Sequence, residues 1–263
     1  MCLLVLAVGR HPRHPVILAG NRDEFHARAT EQAQWWEDKR DILGGRDLEA
    51  GGTWLALHRN GRFATVTNFR DAEPRSLDYR SRGHLVTEFL DSPLPPLDYM
   101  RTIDGSAYAG FNLLVGDTDS VAYLSNRGAP AAMLAPGIYG LSNALLDSPW
   151  EKVTRSKTAF RRLLERDSVS HAGLLDLLND RCESSDEVLE PGFLDAATAR
   201  ALTAPFIVMP HYGTRCSTVI TSDHSGNWQF SERRYDERGD PTGESRFSFA
   251  TERRLRRKDS RQP

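Results

Sequence analysis

The chain has 263 residues, 39% of them hydrophobic and 27% charged, with a formal net charge of −2. That length suits one large core or two modest ones, and the near-zero charge gives no general field for nucleic acid or an anionic membrane surface. The three cysteines, Cys2, Cys182 and Cys216, form neither a disulfide framework nor a CxxC pair, so a reducing compartment, the cytoplasm, is expected.

The chain opens MCLLVLAVGR. The apolar run 3–8 is far shorter than the ~20 residues that span a bilayer, and it lacks the charged flank and cleavage site of a signal peptide. No integral membrane segment is expected. Runs 3–8 and 16–19 flank a His/Pro/Arg turn and predict a buried hairpin. Within 51–71, Asn60-Gly61 joins two β-rich runs, and both residues tolerate the positive φ of a hairpin turn. Leu85, Val86, Phe89 and Leu90 share one helical face, which Pro93 ends. Runs 111–117, 120–126 and 137–143 read as a meander. Ser148, Pro149 and Glu151 then read as a capping box with proline at the first helical position. Val153, Phe160, Leu163 and Leu164 supply the apolar stripe of that helix. Residues 171–180 predict a third helix, and 217–223 and 228–236 a last hairpin around His224-Ser225-Gly226. Residues 1–236 are read as a single domain. Residues 237–263, rich in Arg, Glu, Asp and Ser, are read as a charged, poorly ordered tail in which Phe247 and Phe249 dock locally at most.

Strands, then helices, then strands indicate an α+β fold. The sequence has no GxGxxG after a strand, no GxxxxGK[ST], no HExxH and no GxSxG. These would mark a dinucleotide, a nucleoside triphosphate, a zinc or a hydrolase-elbow site. The eight histidines show no metal-ligand spacing, so no metal site is expected. Polar residues gather instead at strand ends: GNRDE at 20–24, TNFRD at 67–71, GLSNALLDSPW at 140–150 and YGTRCST at 212–218. Such positions host turns as readily as sites.

Read together, NRDEF (21–25), GGTW (51–54), TNFRD (67–71), SRGHLV (81–86), GFNLLVGD (110–117), GLSNALLDSPWEKV (140–153) and YGTRCSTVI (212–220) resemble the NRDE family, also called the transport and Golgi organisation protein 2 family. The resemblance implies a four-layer αββα sandwich of two antiparallel sheets. It is similar to the N-terminal-nucleophile hydrolases, in particular the choloylglycine hydrolase and penicillin V acylase group. Members of that group begin Met-Cys and lose the methionine. Carried over, Cys2 would be nucleophile and, through its own α-amine, base. Asp23 would hold the ammonium, Asn68 and Asn143 would form the oxyanion hole, and Arg22 or Arg215 would lower the thiol pKa. A free α-amine near pKa 7.7–8.0 and a thiol near 8.5 suit that proton transfer.

In an extended segment, alternation puts Asn21 and Asp23 on one face and Arg22 and Glu24 on the other. We place Asn21 and Asp23 toward Cys2, with Arg22 in an ion pair beneath. Cys216 stands where the family usually has serine, and its thiol is expected to pack. GGTW is read as structural.

Two functions follow. One is a hydrolase of a linear amide, such as an acyl amide, that requires no cofactor. The other is a non-catalytic carrier of an amphipathic ligand, haem or a lipid or acyl-CoA, in line with the family's description in terms of haem trafficking and lipid metabolism.

Overall fold

The computed structural model describes residues 2–70, 79–166, 169–184 and 194–251. The first two strands, β1 (Cys2–Val8) and β2 (Val16–Phe25), pair antiparallel, with Cys2 opposite Arg22 and Leu6 opposite Leu18. Apolar side chains occupy both faces of this pair, which is the pattern of strands covered on both sides. Leu4, Leu6, Val16 and Leu18 point to a second sheet, whereas Val5, Ala7, Ile17 and Ala19 point to helices. Gly20 opposes Leu4, and a Cβ there would stand 2.2 Å from Leu4 Cδ2.

Next come β3 (Thr30–Trp35), β4 (Ile42–Asp47), β5 (Leu55–His58) and β6 (Phe63–Asn68). Helices α1 (Gly83–Asp91) and α2 (Pro96–Arg101) lead to β7 (Phe111–Gly116), β8 (Val121–Ser125) and β9 (Ala132–Met133). These seven strands form one antiparallel sheet in chain order. After β10 (Gly137–Leu141) come α3 (Glu151–Glu165), α4 (His171–Leu177), α5 (Ala196–Ala201), β11 (Tyr212–Ser222), β12 (Asn227–Tyr235) and β13 (Pro241–Ala250). The other sheet runs β10-β1-β2-β11-β12-β13.

Four layers result. Leu43, Leu55, Leu57, Phe63 and Leu114 meet Leu4, Leu6 and Leu18 between the sheets. Leu85, Val86, Phe89 and Tyr99 cover the outer face of the seven-stranded sheet, against Val66, Leu113 and Val115. Phe160, Leu174 and Leu175 cover the outer face of the six-stranded one. The expected αββα sandwich is therefore the fold observed. The hairpin at Asn60-Gly61 forms with Gly61 at φ 87°. Helix α1 buries the anticipated face and ends at an extended Ser92, as the following Pro93 demands. In GGTW, Gly52 lies so close to the backbone of Gly83 that a Cβ would stand 2.6 Å from the Gly83 carbonyl carbon.

Three expectations are corrected. Residues 137–141 do not extend the meander. They cross to the other sheet and pair with β1, placing Leu141 opposite Leu4. The capping box does not form either: α3 starts at Glu151 with Trp150 as N-cap and no side-chain cap bond. Asp147 adopts a left-handed φ of 59°. Its Oδ1 accepts from Gly140 N (2.7 Å) and Lys157 Nζ (2.6 Å). That turn against β10 holds Ser148 and Pro149 ahead of the helix, and Glu151 pairs instead with Arg155 (3.2 Å) and Ser184.

The third correction concerns the tail. Residues 241–250 pair along β12 as an edge strand. Average composition hid a period of two: Phe247 and Phe249 are partly buried while Glu244, Arg246 and Ser248 face out. The Phe247 ring meets Phe230 edge-on at 6.2 Å, and Phe249 meets Trp35 at 5.2 Å. Residues 252–263 lie outside the described residues. We expect Phe247→Ser together with Phe249→Ser to lower unfolding stability by ~2–4 kcal/mol. A denaturation curve unchanged by the pair would mean that β13 adds nothing to the core.

Candidate active site

The site lies where the two sheets end. The last inward position of β1 is Cys2, 8% exposed. Its backbone N donates to Asn143 Oδ1 at 3.3 Å. Asn143 follows β10, and its Nδ2 donates to the Asn68 carbonyl at the end of β6 in the other sheet, at 2.7 Å. Between them, Ser142 Oγ donates to the Cys2 carbonyl (2.8 Å) and stands 3.1 Å from Asn143 Oδ1. Thr67 Oγ1 donates to the Ser142 carbonyl (2.8 Å), and Asn112 Nδ2 donates to Thr67 Oγ1 (3.2 Å) and the Ala144 carbonyl (3.0 Å). Buried polar atoms are kept only when paired, and this chain of bonds pairs them across the gap between the sheets.

A cleft of about 510 Å³ opens beside this network. Cys2, Arg22, Asp23, Asn68 and Arg215 line it, so five of the six expected site residues come together. Asn143 sits behind them, 1% exposed and in direct contact with the Cys2 nitrogen.

The facing of the NRDE segment is corrected. Because Cys2 pairs with Arg22, it is Arg22 that shares the inward face with the thiol. Asn21 points to the helical layer, where its Nδ2 donates to the Leu178 and Pro205 carbonyls (both 2.9 Å) and its Oδ1 accepts from Ser217 Oγ (2.6 Å). Asp23 is 4% exposed, and its Oδ1 accepts from Thr214 Oγ1 at 2.7 Å. Opposite this stretch the β2–β11 register shifts between Thr214 and Cys216, so Arg215 is the extra residue of a bulge. Bulges re-aim side chains near sites, and Arg215 Nη1 turns to the carbonyls of Phe25 (2.8 Å) and Arg28 (3.2 Å).

Burial pushes the Cys2 thiol above its ordinary pKa. The positive amino terminus and Arg22 pull the other way without overcoming it. The resting thiol is therefore protonated rather than the thiolate that an adjacent arginine alone would favour. Burial also raises the Asp23 carboxyl to about 6, against the pull of the amino terminus and of Lys152. Lys152 itself is 1% exposed on α3, and its Nζ donates to the Leu202 carbonyl at 2.9 Å. Cys216 packs as expected, buried beside Glu232, and its thiol is raised far more strongly.

Sequence reasoning missed Thr67, Asn112, Ser142, Lys152 and Glu232. Each is a buried polar residue inside an apolar run or helix, and that interruption was the available signal. Among the described residues no cluster of His, Cys, Asp and Glu is suited to hold a metal ion. No described helix is long and apolar enough to cross a membrane.

The antiparallel αββα sandwich is the fold of the N-terminal-nucleophile hydrolases. The fold is similar to that of a mutant conjugated bile acid hydrolase from Clostridium perfringens, with a TM-score of 0.54 at 8% identity over 95% of this chain and 92% of that one. Within that class of fold, the chain belongs to the transport and Golgi organisation 2 family, which it matches over residues 1–237. It is 36% identical to the human transport and Golgi organization protein 2 homolog over 258 residues, covering 89% of this chain and 92% of that protein. It is 29% identical to the Drosophila melanogaster transport and Golgi organization protein 2, over 88% and 91% of the two chains.

The raised Asp23 carboxyl fixes the sign of a pH effect. The native state binds more protons than the unfolded chain between about pH 4 and pH 6, so stability falls as pH rises through that window. Asp23→Asn keeps an acceptor for Thr214 and removes the buried charge. It is expected to stabilise the protein by ~1–3 kcal/mol at pH 7.5, with the gain closing toward pH 4. Melting curves at the two pH values check this, and an equal difference at both would show that Asp23 does not carry the effect.

Proposed function

We propose that the protein is a cysteine N-terminal-nucleophile amidohydrolase that cleaves a linear amide, such as an acyl amide, with Cys2 as nucleophile once Met1 is removed. The observation that carries this reading is the bond from the Cys2 nitrogen to Asn143 Oδ1 at the head of the cleft. With Met1 gone, that nitrogen is the α-amine, and the same bond orients its lone pair.

In this reading the neutral thiol attacks the amide carbonyl carbon while its proton passes to the α-amine. The carbonyl oxygen becomes an oxyanion, to which Asn68 donates from the cleft wall. Asn143 serves by holding the amine, since its own Nδ2 is engaged with the Asn68 carbonyl. Asp23 balances the ammonium. The ammonium then returns its proton to the leaving amine, and a thioester remains on Cys2. Water attacks that thioester with the α-amine again as base, releasing a carboxylic acid. Three free cysteines, two of them buried, suit a reducing compartment, and we assign the protein to the cytoplasm.

The alternative, a carrier of haem or a lipid, is supported less well by the cleft lining. It includes Arg22, Arg28, Arg46, Asp47, Glu31 and Glu232. A porphyrin ring needs an apolar slot and an axial ligand, and laying an apolar face on these charged groups strips them of water at a cost.

The purified protein is expected to lack one methionine by intact mass. A panel of N-acyl amides should yield free carboxylic acid, at a rate that Cys2→Ser, through the poorer nucleophile, and Asn143→Ala, through the misplaced amine, each reduce ~100-fold or more. Retention of Met1 would block the amine. Saturable haem binding that survives Asn143→Ala, beside no amide turnover, would favour the carrier.

A further inference from the structure

The strand register sets up a row of side chains on the inward face of the six-stranded sheet. Cys2 opposes Arg22, Arg22 opposes Cys216, and Cys216 opposes Arg234. Arg22 therefore stands one strand spacing, about 4.8 Å along the sheet, from the thiol. It is 6% exposed, and its Nη1 is buried with no hydrogen-bond partner. Among the described residues its nearest carboxylate is Asp47, at 4.0 Å from Nη2. Asp47 is already engaged: Oδ2 accepts from Arg28 Nε (2.7 Å), and Oδ1 from the backbone N of Glu49 and Ala50 (3.0 and 3.1 Å).

Arg215, on the bulge, faces the same cleft. It donates to backbone carbonyls, and no carboxylate among the described residues lies within 4.0 Å of it. The charge of Arg22 reaches it and, after burial, is the next cause lowering its pKa. Three other arginines of the cleft are committed to acids, Arg28 to Asp47, Arg46 to Asp38 (2.7 Å) and Arg80 to Glu88 (2.5 Å), while Arg82 donates to the Gly110 carbonyl (3.0 Å) and Arg234 to Ser245 Oγ (3.1 Å). Glu24 and Glu232 also face the cleft and act through space on Arg215 and Arg22 respectively, but among the described residues neither lies within 4.0 Å of its arginine. Glu24 Oε1 accepts from the Phe25 N–H (2.9 Å), and Glu232 Oε1 from the Ala33 N–H (2.7 Å). Burial moreover raises the Glu232 carboxyl toward its neutral form. Two like charges in a half-closed space, with Asp47 at 4.0 Å the one carboxylate within that distance of either among the described residues, leave a deficit that a bound anion would fill.

We propose that Arg22 and Arg215 form an anion subsite beside Cys2, which holds a carboxylate or phosphate oxyanion carried by the ligand. On the hydrolase reading, on which this consequence rests, the substrate is an acyl compound bearing such a group within a few bonds of the scissile carbonyl. Guanidinium forks suit both oxyanions, since each offers two acceptor oxygens in one plane.

Alkylation of Cys2 reads the subsite without turnover. Iodoacetate carries a carboxylate and iodoacetamide does not, and both lose iodide to the same thiolate. The ratio of iodoacetate to iodoacetamide rates at Cys2, followed by mass of the labelled peptide, is expected to exceed that of free N-acetylcysteinamide at least tenfold. Arg215→Gln should bring the ratio down toward the free thiol, and Arg215→Lys should retain most of it. Sodium acetate and inorganic phosphate, each against sodium chloride at equal ionic strength, separate the sources. Protection by acetate assigns a carboxylate, and protection by phosphate alone assigns a phosphate. If Cys2 reacts with neither reagent, the same anions should raise the melting temperature of the wild type but not of Arg215→Gln. A ratio equal to the free thiol, or one unmoved by Arg215→Gln, overturns the proposal, as does an inert Cys2 with no anion stabilisation. A protein that cleaves no amide yet passes these tests retains the subsite and loses only the hydrolase reading.

Discussion

Two apolar sheets pressed face to face offer no hydrogen-bond partners at their ends, so polar groups buried there must pair with one another. The bonds that run from Cys2 through Asn143 and Ser142 to Asn68, Thr67 and Asn112 meet that requirement. They tie the first strand to a segment some 140 residues away. This is why β10 crosses to the sheet containing β1: only there can the residues after Leu141 stand over the start of β1. The crossing, the cleft and the position of the thiol all depend on this one junction.

The electrostatics around it oppose stability. A buried carboxyl and a buried arginine act on a thiol that burial keeps protonated, and a buried lysine acts on that carboxyl. A core selected only for stability would be apolar there, as replacing buried ionic groups by well-packed apolar ones is often neutral or favourable. Charge retained against that cost is a mark of sites that handle protons or anions.

Much of the fold was legible in the sequence because its signals are local. The Asn60-Gly61 turn, the α1 stripe before Pro93 and the two outer hairpins each sit within one short window. The elements that were missed share a different character. Strand β3 is mostly polar because it edges its sheet, and β13 alternates so evenly that its average composition resembles a tail. Ser148 and Pro149 have the residue types of a helix start, but Asp147 fixes the turn that delays it. The facing of Asn21, Arg22 and Asp23 could not be read from alternation alone, because a one-residue choice of register inverts every side chain. That register is set by β1, β2 and β11 together, and by the bulge at Arg215. Asn143 was legible as a site residue, but its bond to the Cys2 nitrogen is a fact of three-dimensional pairing.

The polar bonds that bridge the sheets also limit how the molecule can move. Sliding one sheet over the other would break Asn143–Asn68, Thr67–Ser142 and Ala33–Glu232 together. These bonds sit at one end of an interface that is otherwise apolar, where small displacements meet little directional resistance. They therefore act as a stop against shear. Access to the cleft must come from its rim, where the Arg28, Asp47 and Glu49 side chains meet in exposed or half-buried ion pairs. Rim motions of that kind run on nanoseconds to microseconds, whereas collective sliding takes microseconds to milliseconds. A ligand would thus meet a fixed floor and a fast-moving mouth.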